Sequence, residues 1–205
     1  MNKKVRIGID VGGTFTDAVV IDAETYEVIA KRKIPTTHKE GVARGVVQII
    51  STLMEENKIA PEDVAFIAHG TTQATNALLE GDVASVGIIG MATGMDARGA
   101  RGETNVGDIE LAPGKYLKSV QTFLDSKTLT DESIRSAVDT LRGQGAQVIV
   151  ASEAFSVDNP ENELRVTALA EQEGLYATGG HEISQLYGLK MRTRTAVVNA
   201  SLIPK

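Results

Sequence analysis

The sequence predicts an α/β fold on a mixed sheet: an antiparallel meander continued by parallel strands, with helices on both faces. Three observations predict it. Residues 3–34 hold three β-prone runs joined by short turns. The rest of the chain alternates short apolar runs with helix-period segments. No internal repeat, low-complexity tract or shift in composition divides the 205 residues, so they read as a single lobe, 1–205.

The elements follow in order. Runs at 3–11, 14–22 and 28–34 are the strands of the meander, turned by Gly12-Gly13 and by residues 22–26. The first run is apolar along most of its length, which predicts burial on both faces. Thr37-His38-Lys39-Glu40 has the form of a capping box, followed by the stripe Val42, Val46, Ile49, Ile50 and Leu53. Residues 64–68 form a short strand, 74–80 a helix stopped by Gly81, and 85–89 another strand. That βαβ order predicts that the two strands are parallel neighbours. Residues 90–115 read as an irregular loop rich in glycine, carrying Arg98 and Arg101, with a short hairpin near Ile109 to Leu111. A strand at 116–124 follows. Thr130-Asp131-Glu132 then opens a helix whose stripe is Ile134, Ala137, Val138 and Leu141. Residues 147–151 form a buried strand, and Asn159-Pro160 opens the next helix with proline in its first position. A short strand at 175–178 runs into Gly179-Gly180-His181-Glu182, and a last helix covers 189–202.

Composition excludes several functions. The net charge is −6, and no basic run exceeds Lys31-Arg32-Lys33. Aromatics make up 4% and tryptophan is absent, so neither phosphate-backbone attraction nor base stacking points to nucleic acid. No apolar stretch is long enough to span a membrane, and Lys3-Lys4 leads into a strand rather than a signal sequence. Cysteine is absent, which removes disulfides, thiolate metal sites and a cysteine nucleophile. The expectation is a cytoplasmic protein.

Chemistry concentrates in Asp10-Val11-Gly12-Gly13-Thr14-Phe15-Thr16-Asp17. An acid ends the first strand, two glycines allow a turn with φ > 0 and close backbone approach, and hydroxyls follow. Amides of Gly12, Gly13 and Thr14 are placed to meet phosphate oxygens. Asp10 would repel a bare phosphate, so a cation must lie between them; Mg²⁺ is commonly held by one or two carboxylates plus phosphates. This is neither a Rossmann fingerprint nor a Walker A loop. A glycine hairpin that merely closes two core strands is the alternative. Asp17 is either a second carboxylate beside the metal, positioning water, or a turn residue. His69 ends a strand before a helix, where ligands bind in open α/β sheets. Thr71 and Thr72, with Asn76 one turn on, offer hydroxyls and helix-start amides to an anion or simply cap the helix. His181-Glu182 lacks zinc spacing and reads as a cleft or loop residue pair. Arg98 and Arg101 are either carboxylate or phosphate ligands or solvated loop residues.

The Asp10–Asp17 stretch resembles the first phosphate motif of actin, the heat-shock ATPases and sugar kinases. With His69-Gly70-Thr71-Thr72 and Ala74-Thr75-Asn76-Ala77-Leu78-Leu79, it is similar to the N-terminal region of the hydantoinase A / 5-oxoprolinase family. Val148-Ile149-Val150, Asn159-Pro160, His181-Glu182-Ile183-Ser184 and Ala196–Leu202 extend the resemblance over nearly the whole chain. It departs from the family pattern at 94–115, which leaves the substrate open. The resemblance implies a ribonuclease H-like (actin-like ATPase) lobe, ATP and Mg²⁺ as cofactors, and ATP-driven opening of hydantoins or 5-oxoproline. It implies catalytic roles for Asp10, Asp17 and His69, with Asp10 toward the metal. Nucleotide contacts fall to Gly12, Gly13, Thr14, Thr16, Thr71, Thr72 and Asn76. A second actin-like lobe or partner subunit would complete the site, since none lies within 1–205. A subunit of an ATP-dependent carboxylase and a non-catalytic actin-like regulatory module are the alternatives.

Overall fold

The computed structural model describes residues 4–37 and 41–204. The chain, read from sequence as one lobe, divides into two compact units, Met1–Asn76 and Ala77–Lys205.

The first unit is a four-stranded sheet on one long helix. Strands β1 (Val5–Val11), β2 (Phe15–Asp22) and β3 (Val28–Pro35) form the antiparallel meander. Helix α1 (Val42–Glu56) follows, then β4 (Val64–Thr71), parallel to β1, giving the order β3-β2-β1-β4. Asp22 fixes the β2–β3 turn by accepting the N–H groups of Glu24 (2.8 Å) and Thr25 (2.9 Å). Side chains alternate across the sheet. Val5, Ile7, Ile9 and Val11 of β1, with Ala18 and Val20 of β2, pack on Ile49 and Leu53 of α1. Burying each of those two helix residues contributes about 1.5–3 kcal/mol. The other face of β1 carries Arg6 and Asp10, both exposed. The expectation of a strand buried on both faces is therefore corrected: β1 is central in the sheet, but its partner helix covers one side. The capping pattern at 37–40 falls on His38, Lys39 and Glu40, which lie outside the described residues. Thr37 hydrogen-bonds with its hydroxyl to the Gly45 N–H (3.1 Å) and the Gly41 carbonyl (3.0 Å), and α1 starts after Gly41.

Helix α2 (Gln73–Glu80) leads from the first unit to the second. There β5 (Val86–Ala92), β8 (Ser119–Asp125), β9 (Val148–Glu153) and β10 (Tyr176–Gly179) form an all-parallel sheet in the order β10-β9-β5-β8. Helices α4 (Asp131–Gly143) and α5 (Glu161–Gln172) cover one face, through Ile134, Val138, Leu141, Val166 and Leu169. After the short helix α6 (Gly180–Ile183), helix α7 (Leu189–Ala200) covers the other through Ala196, Val197 and Ala200, with the hairpin β6 (Ile109–Ala112)–β7 (Lys115–Leu117) beside it. Both faces being covered, β5 and β9 are buried at every position.

Three expectations change. The strands at 64–71 and 86–92 do not pair: β4 extends the meander, and β5 sits between β9 and β8. The stretch 90–115 is largely regular, since Asp96–Thr104 is helix α3 and the expected hairpin is β6–β7. Pro160 occupies the N-cap of α5 rather than its first turn. The α4 start matches its reading, with a reciprocal Thr130–Ser133 capping box at 3.0–3.1 Å.

Candidate nucleotide-phosphate site

The β1–β2 hairpin carries the site. The Gly12 N–H donates to the Phe15 carbonyl at 2.9 Å and closes the hairpin, so this amide is not free for phosphate as expected. Neither Gly12 nor Gly13 has a positive φ. The glycines are needed for space instead. A Cβ on Gly12 would lie 3.1 Å from the Phe15 carbonyl oxygen, and one on Gly13 would lie 3.2 Å from Asn76 Nδ2. The hairpin is thus pressed against the start of α2, and Thr14 stands exposed at its tip.

Two bonds dock the start of α2 on β1. The Thr71 hydroxyl donates to the Val11 carbonyl (2.9 Å), and the Thr72 N–H donates to the same carbonyl (3.2 Å). Thr71 Oγ1 also accepts the Gln73 N–H at 3.2 Å and so caps the helix. The next two amides, Ala74 and Thr75, precede the first intrahelical bond, Asn76 N–H to the Thr72 carbonyl at 2.9 Å. Thr14, Thr72, Asn76 and these amides therefore gather at one end of the sheet, around a helix N-terminus suited to an anion.

Asp10 and Asp17 are direct cross-strand partners on the open face of the sheet. Like charges placed so are mutually destabilising. Lys33, the register partner of Asp17 on β3, relieves one of them, with Nζ 3.1 Å from Asp17 Oδ2. Among the described residues no side chain pairs with the Asp10 carboxylate. The two acids, Lys31 and Lys33 line a broad hollow of about 1330 Å³ floored by Gly8, Val19, Ala68 and Gly70. Lys33 is absent from the motif reading. Counting from the 22–26 turn alone would place residue 32 opposite 17; the bulge between Val20 and Ile21 shifts the register by one and brings Lys33 there.

Two predicted residues stand apart. Thr16 is buried on the α1 side, its hydroxyl 3.2 Å from that of Thr36, so it has no access to a ligand on the open face. His69 is in register with Ile9, while Gly70 is in register with Asp10. Alternation puts the His69 side chain on the face opposite both carboxylates. The other singled-out pair, His181-Glu182, holds a loop. Glu182 accepts the Thr178 hydroxyl (3.0 Å) and the Gly179 N–H (3.1 Å), and His181 Nδ1 lies 2.6 Å from buried Glu163 Oε2. Among the described residues no group of three His, Asp or Glu is arranged around a metal.

Known proteins share this architecture. The chain is 29% identical over 222 residues to the caprolactamase subunit alpha of Pseudomonas jessenii, covering 98% of this chain and 32% of that protein. It is 29% identical over 229 residues to the acetophenone carboxylase gamma subunit of Aromatoleum aromaticum, covering 96% and 31%. Among solved structures, the ATP-dependent caprolactamase of Pseudomonas jessenii superposes with a TM-score of 0.59 at 29% identity, over 97% of this chain and 31% of that one. Nucleotide-free acetone carboxylase superposes at 0.66 and 20% identity, over 97% and 32%, a likeness of fold. The chain spans about a third of the length of these relatives. The profile of the hydantoinase/oxoprolinase N-terminal region matches residues 6–174, and the chain belongs to that family.

Proposed function

We propose that the chain is the nucleotide-binding N-terminal part of an ATP-dependent enzyme that opens cyclic amides. The observation that carries this reading is the Asp10 carboxylate, which no side chain among the described residues pairs with, beside a glycine hairpin packed on the start of α2. Phosphate oxygens would take the Thr14, Ala74 and Thr75 amides and the Thr72 hydroxyl. Asp10 would hold Mg²⁺, which needs no more than one or two carboxylates when phosphates supply the remaining ligands. A cation there would also offset the Asp10–Asp17 repulsion. When bound, ATP would give its γ-phosphoryl group to the amide oxygen and leave as ADP, so that water could add to the activated carbon, the ring C–N bond break with the nitrogen protonated, and hydrolysis of the resulting acyl phosphate free the acid and phosphate. Asp17, tethered to Lys33, orients on the same face and would position water or the metal's hydration shell. We assign His69 no contact with the reacting atoms, in view of its face.

A relative named as a subunit implies that the active enzyme includes a partner chain, and a cytoplasmic location accords with the absence, among the described residues, of a helix long and apolar enough to cross a membrane. The carboxylase alternative draws on the acetophenone carboxylase likeness. We favour ring opening because the solved caprolactamase matches at 29% identity, whereas the solved acetone carboxylase, at 20%, shares the fold alone. The test is ATP hydrolysis by the complete enzyme with its partner, measured against caprolactam, hydantoin and 5-oxoproline. ATP turnover coupled to appearance of the ring-opened acid is expected. Turnover that instead requires bicarbonate and a ketone would select the carboxylase.

A further inference from the structure

The second unit has a crevice of its own, unused by the nucleotide reading. In the order β10-β9-β5-β8, the chain leaves β5 for β8 on one side and returns to β9 on the other. The connections then part. Helix α3, after β5, packs with Leu189 of α7, whereas α5, after β9, packs with α4 on the opposite face. Open parallel sheets bind ligands where such connections diverge, beyond the carboxyl ends of the strands. At that point lies a cavity of about 510 Å³, lined by Asp96, Glu103, Phe155 and Tyr187 and, on its apolar side, by Met95 and Leu189.

The lining is chemically one-sided. It holds two carboxylates and two aromatic rings, with no Lys, Arg or His. The nearby buried Arg192 aims its terminal nitrogens at the carbonyls of Leu186, Tyr187 and Glu153, at 2.5, 3.2 and 2.6 Å. Glu103 Oε2 accepts the Lys190 N–H at 3.3 Å. The rings are held, not packed. Phe155 is 60% exposed yet adopts φ 63°, a left-handed conformation disfavoured for a bulky side chain. Its carbonyl accepts the Asp158 N–H at 3.0 Å, which fixes that turn. The Tyr187 hydroxyl donates to Asp158 Oδ1 at 2.8 Å. That bond, with the Asp158 charge, raises the phenol pKa, so the ring stays neutral. Carboxylates together with exposed aromatic faces recognise ammonium groups.

We propose that this crevice binds an organic ammonium ion, a protonated amine on a short apolar chain. The cation lies between Asp96, Glu103 and the two rings, and the chain lies along Met95 and Leu189. The inference is independent of nucleotide binding in the first unit.

The test is an NMR titration of the 205-residue chain with n-hexylammonium, and with n-hexanol and hexanoate as matched neutral and anionic probes. Hexylammonium should give saturable shifts confined to 95–103, 154–155 and 187–189, and bind at least about tenfold more tightly than either control. Asp96→Asn with Glu103→Gln should weaken it about tenfold, as should Phe155→Gly. The glycine variant also relieves the left-handed strain, so its melting temperature should rise and the weaker binding cannot be unfolding. Equal binding of hexanol, shifts scattered over the acidic surface, or no saturation would each overturn the proposal.

Discussion

Asp10 owes its importance to a conflict: it faces Asp17 across two strands, and Lys33 answers only Asp17. In the complete enzyme, Asp10→Asn should lower Mg²⁺-dependent ATP hydrolysis about 10–100-fold. The same change removes a like-charge pair, so the fold should keep or gain stability, by less than about 1 kcal/mol. A thermal melt run beside the turnover assay separates the two effects. Gly13 makes a second point of leverage. Gly13→Ala would press a methyl group toward Asn76 Nδ2, 3.2 Å away, and should cost about 1 kcal/mol. Adding Asn76→Ala should recover most of that loss in a double-mutant cycle of melts; additive losses would mean the hairpin does not rest on α2. Asp10, Gly12, Gly13, Thr71 and Thr72 stand out as candidates in sequence because acid, glycine and hydroxyl sit at fixed short spacings. The faces that His69 and Thr16 present are not legible in sequence, because they depend on register, which spacing along one strand does not reveal. The glycine pair does not supply the positive φ that its sequence suggests; Gly13 instead leaves room for the neighbouring helix.

At the scale of elements, apolar runs and caps were readable and pairings were not. The stripe of α4 and its Thr130 cap are local, so sequence carries them. The partner of β5 is decided by which helices can cover both its faces, and those lie up to 110 residues later, in α7. Helix α3 reads as loop because Gly99 and Gly102 dilute its pattern; its buried residues are Ala100 and Thr104, with Ala97 packed beside them. Two predictions belong here. A Cβ on Gly90 would lie 2.3 Å from Thr104 Oγ1 and 3.0 Å from the Phe123 ring, inside a packed sheet. Gly90→Ala should therefore cost about 1–3 kcal/mol in a denaturant melt, while Gly99→Ala, with open space around it, should not destabilise α3. The second concerns acid. Lys118, hydrogen-bonded to Asp108 at 2.5 Å, is the main cause that holds that carboxyl below the usual aspartate range; the Ser119 N–H adds to it and burial opposes it. A lowered folded pKa gives stability that is present above the ordinary aspartate pKa and lost as pH falls through the lowered value. Asp108→Asn should lower stability near neutrality, where the charged carboxylate contributes, flatten the acid limb below about pH 4, and converge with the parent protein at the acid end. A parallel shift at all pH values would show that the carboxylate's charge is not what ties the β6–β7 hairpin to the start of β8.

For the molecule as a whole, the chain spans about a third of its relatives, an ATP-dependent caprolactamase among them, and one candidate phosphate-binding hairpin stands out among the described residues. Enclosing a nucleotide and excluding water generally takes closure of a second element over it. The purified chain should accordingly bind nucleotide weakly and turn it over little, and robust hydrolysis would mean the site is complete within these residues. The family and the α/β architecture were legible because motifs survive over long stretches, whereas the division into two units was not, since neither composition nor linker chemistry changes near Asn76. The central claim is that Asp10 and the Gly12–Thr14 hairpin hold a magnesium nucleotide, and an amide NMR titration of the chain with ATP, with and without Mg²⁺, tests it most directly. The account predicts shifts at 10–14 and 71–76, strengthened by Mg²⁺, with that strengthening lost in Asp10→Asn. Shifts elsewhere, or binding that neither Mg²⁺ nor Asp10→Asn alters, would contradict it.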